Sequence, residues 1–212
     1  MKNSKKVRPE VIMKKLSRKK GMQPGSLVFT GNKKTESVRV CLTRYSPDRL
    51  EEREFLGFEG MPMPGEDFGV TWVDIKALHD PEMIETSGKL FGIHPLVLED
   101  VMNTNQRPKI EFSENHVFIV LKMLSYNEKE HLIDVEQISI IVGSNYVITY
   151  QENYDDIFDA LRERIRKAKG QVRSLGADYL AYCLLDTIVD YYYVILERIG
   201  ADIENYEEEL LG

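Results

Sequence analysis

The sequence predicts an α/β (α+β) protein: a mixed β-sheet covered by helices, followed by one long C-terminal helix. Three observations carry that prediction. Apolar residues alternate with period two over residues 38–43, β-rich runs recur from there to residue 150, and two helices are announced by a capping residue followed by proline. From Ala177 to Gly212, apolar residues then recur at steps near 3.5 with no proline.

Residues 1–20 form a basic leader of disordered composition, and Gly21 to Gly25 is turn chemistry. Leu27-Val28-Phe29 reads as a short strand ending at Gly31-Asn32, and Val38, Val40 and Leu42 alternate with Arg39, Cys41 and Thr43 as a half-buried strand does. Residues 57–69 are a Gly/Pro-rich loop, and Val70 to Ile75 is a β-rich run. Asp80-Pro81 starts a helix that runs to about Phe91. His94-Pro95 starts a shorter one through Met102, which carries Glu99 and Asp100 and must stop before Arg107-Pro108. Strands follow at 110–112, 117–124, 135–142 and 146–150, the last two joined by a Gly143-Ser144-Asn145 turn. Ile157, Leu161, Ile165, Ala168 and Val172 at helical spacing predict an amphipathic helix from Asn153 to about Lys169.

On the long C-terminal helix, Leu185, Ile188, Val189, Tyr192, Ile195, Leu196, Ile199, Ile203, Tyr206 and Leu210 form an apolar stripe. Asp186, Asp190, Glu197, Glu204 and Glu208 cluster within roughly 40° of one another, about 150° from that stripe. One edge therefore calls for a partner and the other is anionic. The periodic pattern is still running at Gly212, so the chain is expected to be cut from something longer.

Composition narrows the function classes. The 212 residues are 42% hydrophobic and 30% charged, enough for a sizeable core. Cys41 and Cys183 are far apart and in no CxxC pattern, which gives no support to a zinc site or disulfide framework and reads as free thiols in a reducing compartment. No run approaches about 20 consecutive apolar residues, so the chain itself reads as soluble and intracellular. Nine bases and one acid in residues 1–20 leave a net of −15 on the remainder. Such a body repels nucleic acid and attracts cations. The histidines His79, His94, His116 and His131 lack metal-ligand spacing, and no phosphate loop, dinucleotide fingerprint or nucleophile elbow occurs, so no enzyme is expected. His94 reads as a cap, and Trp72 and Tyr191 to Tyr193 as packing residues. Carboxylates are the chemical resource in excess: Glu99 with Asp100, and Asp186 with Asp190 one turn later. Hard cations such as Mg²⁺ take oxygen ligands and need only one or two carboxylates.

From Phe91-Gly92-Ile93-His94-Pro95-Leu96-Val97-Leu98-Glu99-Asp100-Val101, through Asn105-Gln106-Arg107-Pro108-Lys109, Glu136-Gln137-Ile138-Ser139 and Asn145-Tyr146-Val147-Ile148, into Ala177-Asp178-Tyr179-Leu180 and Leu185-Asp186, the sequence resembles the cytoplasmic domain of the CorA family of magnesium transport proteins. The likeness covers nearly all the chain beyond Lys19. It implies an αβα domain over residues 21–175, with the mixed sheet between helical layers. Residues 176–212 would be the start of a stalk helix leading to two membrane spans of a homopentamer. The full-length protein would then sit in the cell membrane with this segment on the cytoplasmic side. Family members pass Mg²⁺, often also Co²⁺, and close when cytosolic Mg²⁺ binds between subunits. By position, Asp100 matches the principal regulatory carboxylate, and Glu99 and Asp186 match ligands of an adjacent cation site. The family's Gly-Met-Asn signature is absent from these 212 residues, and its place falls after Gly212. The alternatives are the related zinc transporter subfamily and a soluble helical adaptor or cation sensor using the apolar stripe.

Overall fold

The structure is a computed structural model that describes residues 21–31, 37–65, 67–76, 78–127, 132–154 and 157–211. The leader and His131 lie outside the described residues. Seven strands form one mixed sheet: β1 (Arg39–Tyr45), β2 (Leu50–Phe55), β3 (Val70–Lys76), β4 (Lys109–Phe112), β5 (Val117–Asn127), β6 (Leu132–Val142) and β7 (Tyr146–Gln151). Their order is β2-β1-β3-β7-β6-β5-β4, with β3 and β7 parallel and every other pair antiparallel.

Period-two alternation sorts the sheet's side chains onto two faces. Val40, Leu42, Val73, Ile75, Phe118, Val120, Ile141 and Ile148 enter one core, where they meet α1 (Pro81–Phe91) and α2 (Pro95–Met102) through Ile84, Leu98, Val101 and Met102. Trp72, Ile119, Met123, Ile138, Ile140 and Val147 enter the other. There they meet α3 (Asp159–Arg166) and α4 (Ala177–Leu211) through Leu161, Ile165, Leu180, Leu184 and Ile188. The sheet is thus sandwiched between two helical layers, as the resemblance implied.

The two proline-started helices form as the residues dictate. Asp80 Oδ1 accepts from the N–H groups of Glu82 (3.0 Å) and Met83 (3.3 Å), and His94 Nδ1 accepts from Leu96 N–H at 3.2 Å. Gly92 ends α1 at φ +65°, a left-handed position suited to glycine. Gly88 is where the helices touch: a Cβ there would stand 2.3 Å from Leu98 Cδ1.

Four expectations are corrected. Leu27 and Phe29 pack on the first core but form no strand; Thr30 N–H instead donates to the Met102 carbonyl at 3.2 Å. The sequence reading has no strand at Leu50–Phe55, whose polar residues alternate too weakly on this exposed edge to register. Strands β5 and β6 run on to Asn127 and back to Leu132, because hairpin pairing continues beyond the reach of β7. Finally, α3 spans only Asp159–Arg166, since Gln151 still belongs to the sheet and Ala168, at φ 47°, turns the chain out of the helix.

The first part of α4 lies on the sheet, while Leu196, Ile203, Tyr206 and Leu210 are exposed. By length and composition α4 would also reach across a bilayer, its best 18-residue window having a mean hydropathy of 1.3, with a third of that window (33%) buried here. A search for unbroken apolar runs misses this because Asp186 and Asp190 interrupt the pattern. Tyr192 Oη donates to the Lys122 carbonyl, and Tyr126 Oη to Asp202 Oδ2 at 2.9 Å, so β5 guides the helix well past its buried turns.

Candidate divalent-cation site

In α2, the buried side chains Leu98, Val101 and Met102 recur at helical spacing, which turns the intervening Glu99 and Asp100 toward the outer side, where both are half-buried. The end of the helix is fixed to the sheet by Gln137, whose Nε2 donates to the carbonyls of Asp100 (3.2 Å) and Val101 (3.4 Å). Lys122 Nζ braces the same corner, donating to the Thr104 carbonyl at 2.8 Å and to Gln137 Oε1 at 3.2 Å. Burial holds the Lys122 ammonium below its ordinary pKa.

Glu99 Oε2 accepts the Gly25 N–H at 2.8 Å and borders a cleft of about 280 Å³ lined also by Met22, Gln23, Pro24 and Ser26. Both oxygens of Asp100 are engaged. Gln106 Nε2 donates to Oδ1, and Lys109 Nζ approaches Oδ2 at 2.6 Å. The same ammonium lies 2.7 Å from Glu111 Oε1 and 5.5 Å from the centre of the Phe118 ring. Partial burial would lower the Lys109 pKa, but its hydrogen bonds to Asp100 and Glu111 outweigh that and hold it above its ordinary value.

Asp186 is exposed on α4, against the opposite face of the sheet. The structure therefore keeps Glu99 and Asp100 together but sets Asp186 apart, with the sheet between them. Among the described residues, no three His, Cys, Asp or Glu side chains stand close enough to hold an ion within one chain. The donor chemistry nonetheless suits a hard dication: every candidate ligand is a carboxylate oxygen, and none is buried. Sequence reasoning missed Lys109 and Gln106 as neighbours of Asp100. No helical or strand period links positions 100, 106 and 109; the chain reversal before Pro108 does.

His94 serves as the cap of α2. Trp72 is fully buried, its indole N–H donating to Thr149 Oγ1 at 3.0 Å, and Tyr191 and Tyr192 pack partly on the second core while Tyr193 is exposed. Cys41 is partly exposed and Cys183 buried, both free.

Comparison with known proteins agrees with this architecture. The family described as CorA-like Mg²⁺ transporter protein matches residues 67–212. The cobalt/magnesium transport protein CorA of Thermotoga maritima is 45% identical over 199 residues, which are 93% of this chain and 56% of that protein. A putative metal ion transporter of Bacillus subtilis is 27% identical over 144 residues, 67% of this chain and 43% of that protein. The chain thus spans about half the length of these relatives. Among solved structures, the complete CorA magnesium transporter of Methanocaldococcus jannaschii superposes with a TM-score of 0.64 at 21% identity, over 84% of this chain and 52% of that one. The ZntB cytoplasmic domain of Vibrio parahaemolyticus gives 0.60 at 13%, over 81% and 66%, a likeness of fold alone. The profile match over most of the chain and the close Thermotoga relative establish the lineage: this chain belongs to the CorA-like Mg²⁺ transporter family.

Proposed function

We propose that this chain is the cytoplasmic, Mg²⁺-sensing part of a CorA-type magnesium/cobalt transporter, and that a divalent cation held between neighbouring copies favours the closed channel. The observation that carries the reading is the separation just described. Glu99 and Asp100 stand on one side of the sheet and Asp186 on the other, so a cation held by both groups must lie where two copies meet.

Electrostatics supplies the drive. Outside the basic leader the chain carries −15, so bare copies repel and a bridging dication binds the closely packed assembly in preference. A surface for such packing is available. Tyr182, Val189, Leu196, Ile203 and Leu210 are exposed at strict seven-residue steps along α4, the spacing of a helix–helix seam. An all-oxygen donor set favours Mg²⁺ over zinc, which prefers nitrogen and sulfur ligands.

Limited proteolysis in rising MgCl₂ tests the reading. Wild-type chain should become protected at millimolar Mg²⁺, and Asp100→Asn should require several times more. Equal protection of the two proteins would overturn the assignment of Asp100.

A further inference from the structure

We propose that Lys109 is a built-in competitor for the cation at Asp100: its ammonium occupies the carboxylate and must leave before a divalent ion can bind. This inference rests on the reading of Asp100 as a cation ligand and adds the residue that sets its threshold.

The geometry leaves little choice. Lys109 Nζ lies 2.6 Å from Asp100 Oδ2, and the amide of Gln106 holds Oδ1. Mg²⁺ demands oxygen at about 2.0–2.1 Å in a near-octahedral shell. An ammonium in hydrogen-bond contact with the same carboxylate both blocks that approach and repels the incoming charge. Each of the two side chains retains only a quarter of its free exposure, 25%, so water screens the pair less than it would a fully exposed one. The competitor is also easily released. Glu111 Oε1 already accepts from Nζ at 2.7 Å and the Phe118 ring lies 5.5 Å away, so on leaving Asp100 the ammonium keeps two of its three favourable partners. Lys109 begins the edge strand β4, and its side chain can swing without disturbing the core. The consequence is a binding step whose apparent affinity is reduced by the fraction of time the lysine holds the carboxylate.

Lys122, the other ammonium at this corner, provides the control. It is bonded to the Thr104 carbonyl and Gln137, so removing its charge alters the local field without uncovering Asp100.

The experiment is Mn²⁺ titration of the 212-residue chain, followed by electron paramagnetic resonance of the free ion, with Mg²⁺ competition. Lys109→Met should tighten binding about fivefold, the equivalent of one partly exposed ion pair removed. Lys109→Arg, whose fork still grips the carboxylate, should not tighten it. The gain should vanish in Asp100→Asn/Lys109→Met and should exceed that of Lys122→Met. Lys109→Gln replaces the Met variant should circular dichroism show the latter unfolded. If Asp100→Asn weakens binding while Lys109→Met leaves it unchanged, the competitor role is wrong and the reading of Asp100 stands. Equal gains from Lys109→Met and Lys122→Met would reduce the effect to the general field and overturn the proposal. No binding to wild type or to Lys109→Met, or binding indifferent to Asp100→Asn, would overturn both.

Discussion

Arg162 Nη2 donates to Asp74 Oδ2 at 2.7 Å beneath α3, where the Asp74 side chain is completely buried and that of Arg162 only 6% exposed. Every group around the pair is arranged for it. Asp74 Oδ1 accepts from Thr149 Oγ1 and Gln151 Nε2, both at 2.6 Å, Arg162 Nη1 donates to Thr43 Oγ1 at 3.2 Å, and the guanidinium stacks 4.1 Å above the Trp72 ring. The network ties β1, β3 and β7 to α3 at the junction where the sheet turns from antiparallel to parallel.

Breaking this pair on one side should be severe. Arg162→Met keeps the apolar volume but removes the hydrogen-bonded partner of a buried carboxylate, leaving Lys76 Nζ at 3.9 Å as its nearby cation, and urea unfolding should show a loss of about 3 kcal/mol. Arg162→Met/Asp74→Asn should lose less than the two single changes summed, because the two members of the pair act through one contact and their losses are not independent. A single-variant loss below about 1 kcal/mol would show that water reaches the site.

The two halves of α4 should respond differently to the same truncation. Ile188→Ala, in the second core, should cost about 2–4 kcal/mol in the same assay. Ile203→Ala, at an exposed position, should change the stability of dilute chain by less than about 0.5 kcal/mol. A concentration-dependent penalty at Ile203 would instead mean that the exposed seam is already paired in solution.

Cys41 gives a pH test. Burial, followed by the nearby Asp74 charge, pushes its thiol from 9.0 up to about 11. Because the folded value is the higher one, the unfolded chain loses its proton first. The thiol therefore costs no stability below pH 9 and subtracts from it as pH rises from 9 toward 11. Iodoacetamide at pH 8 should label Cys41 slowly in the folded chain and rapidly in urea, as read by mass spectrometry. Rapid labelling of folded chain would contradict the burial of this thiol.

How far the sequence could be read depended on how local each signal was. Caps at Asp80 and His94, the alternation in β1, the β-rich runs of β3 and β5 to β7, and the long periodicity of α4 are short-range patterns, and the structure follows them. The edge strand β2 and the end of α3 escaped, because the first is a polar, largely exposed strand held by its hairpin pairing with β1 rather than by an apolar pattern, and the second depends on the turn at Ala168. Glu99 and Asp100 stood out as neighbours on one helix.

The sequence by itself determined the αβα class, the family, and the excess of carboxylate that makes a cation ligand plausible chemistry for this chain. These follow from periodicity, composition and motif, all of which are written along the chain. Only the tertiary structure decided that Asp186 lies across the sheet from Asp100, that Lys109 and Gln106 occupy that carboxylate, and that Asp74 is neutralised by Arg162, 88 positions away. Those relationships are contacts between elements, and their electrostatic consequences depend on distance and burial, which no sequence period encodes.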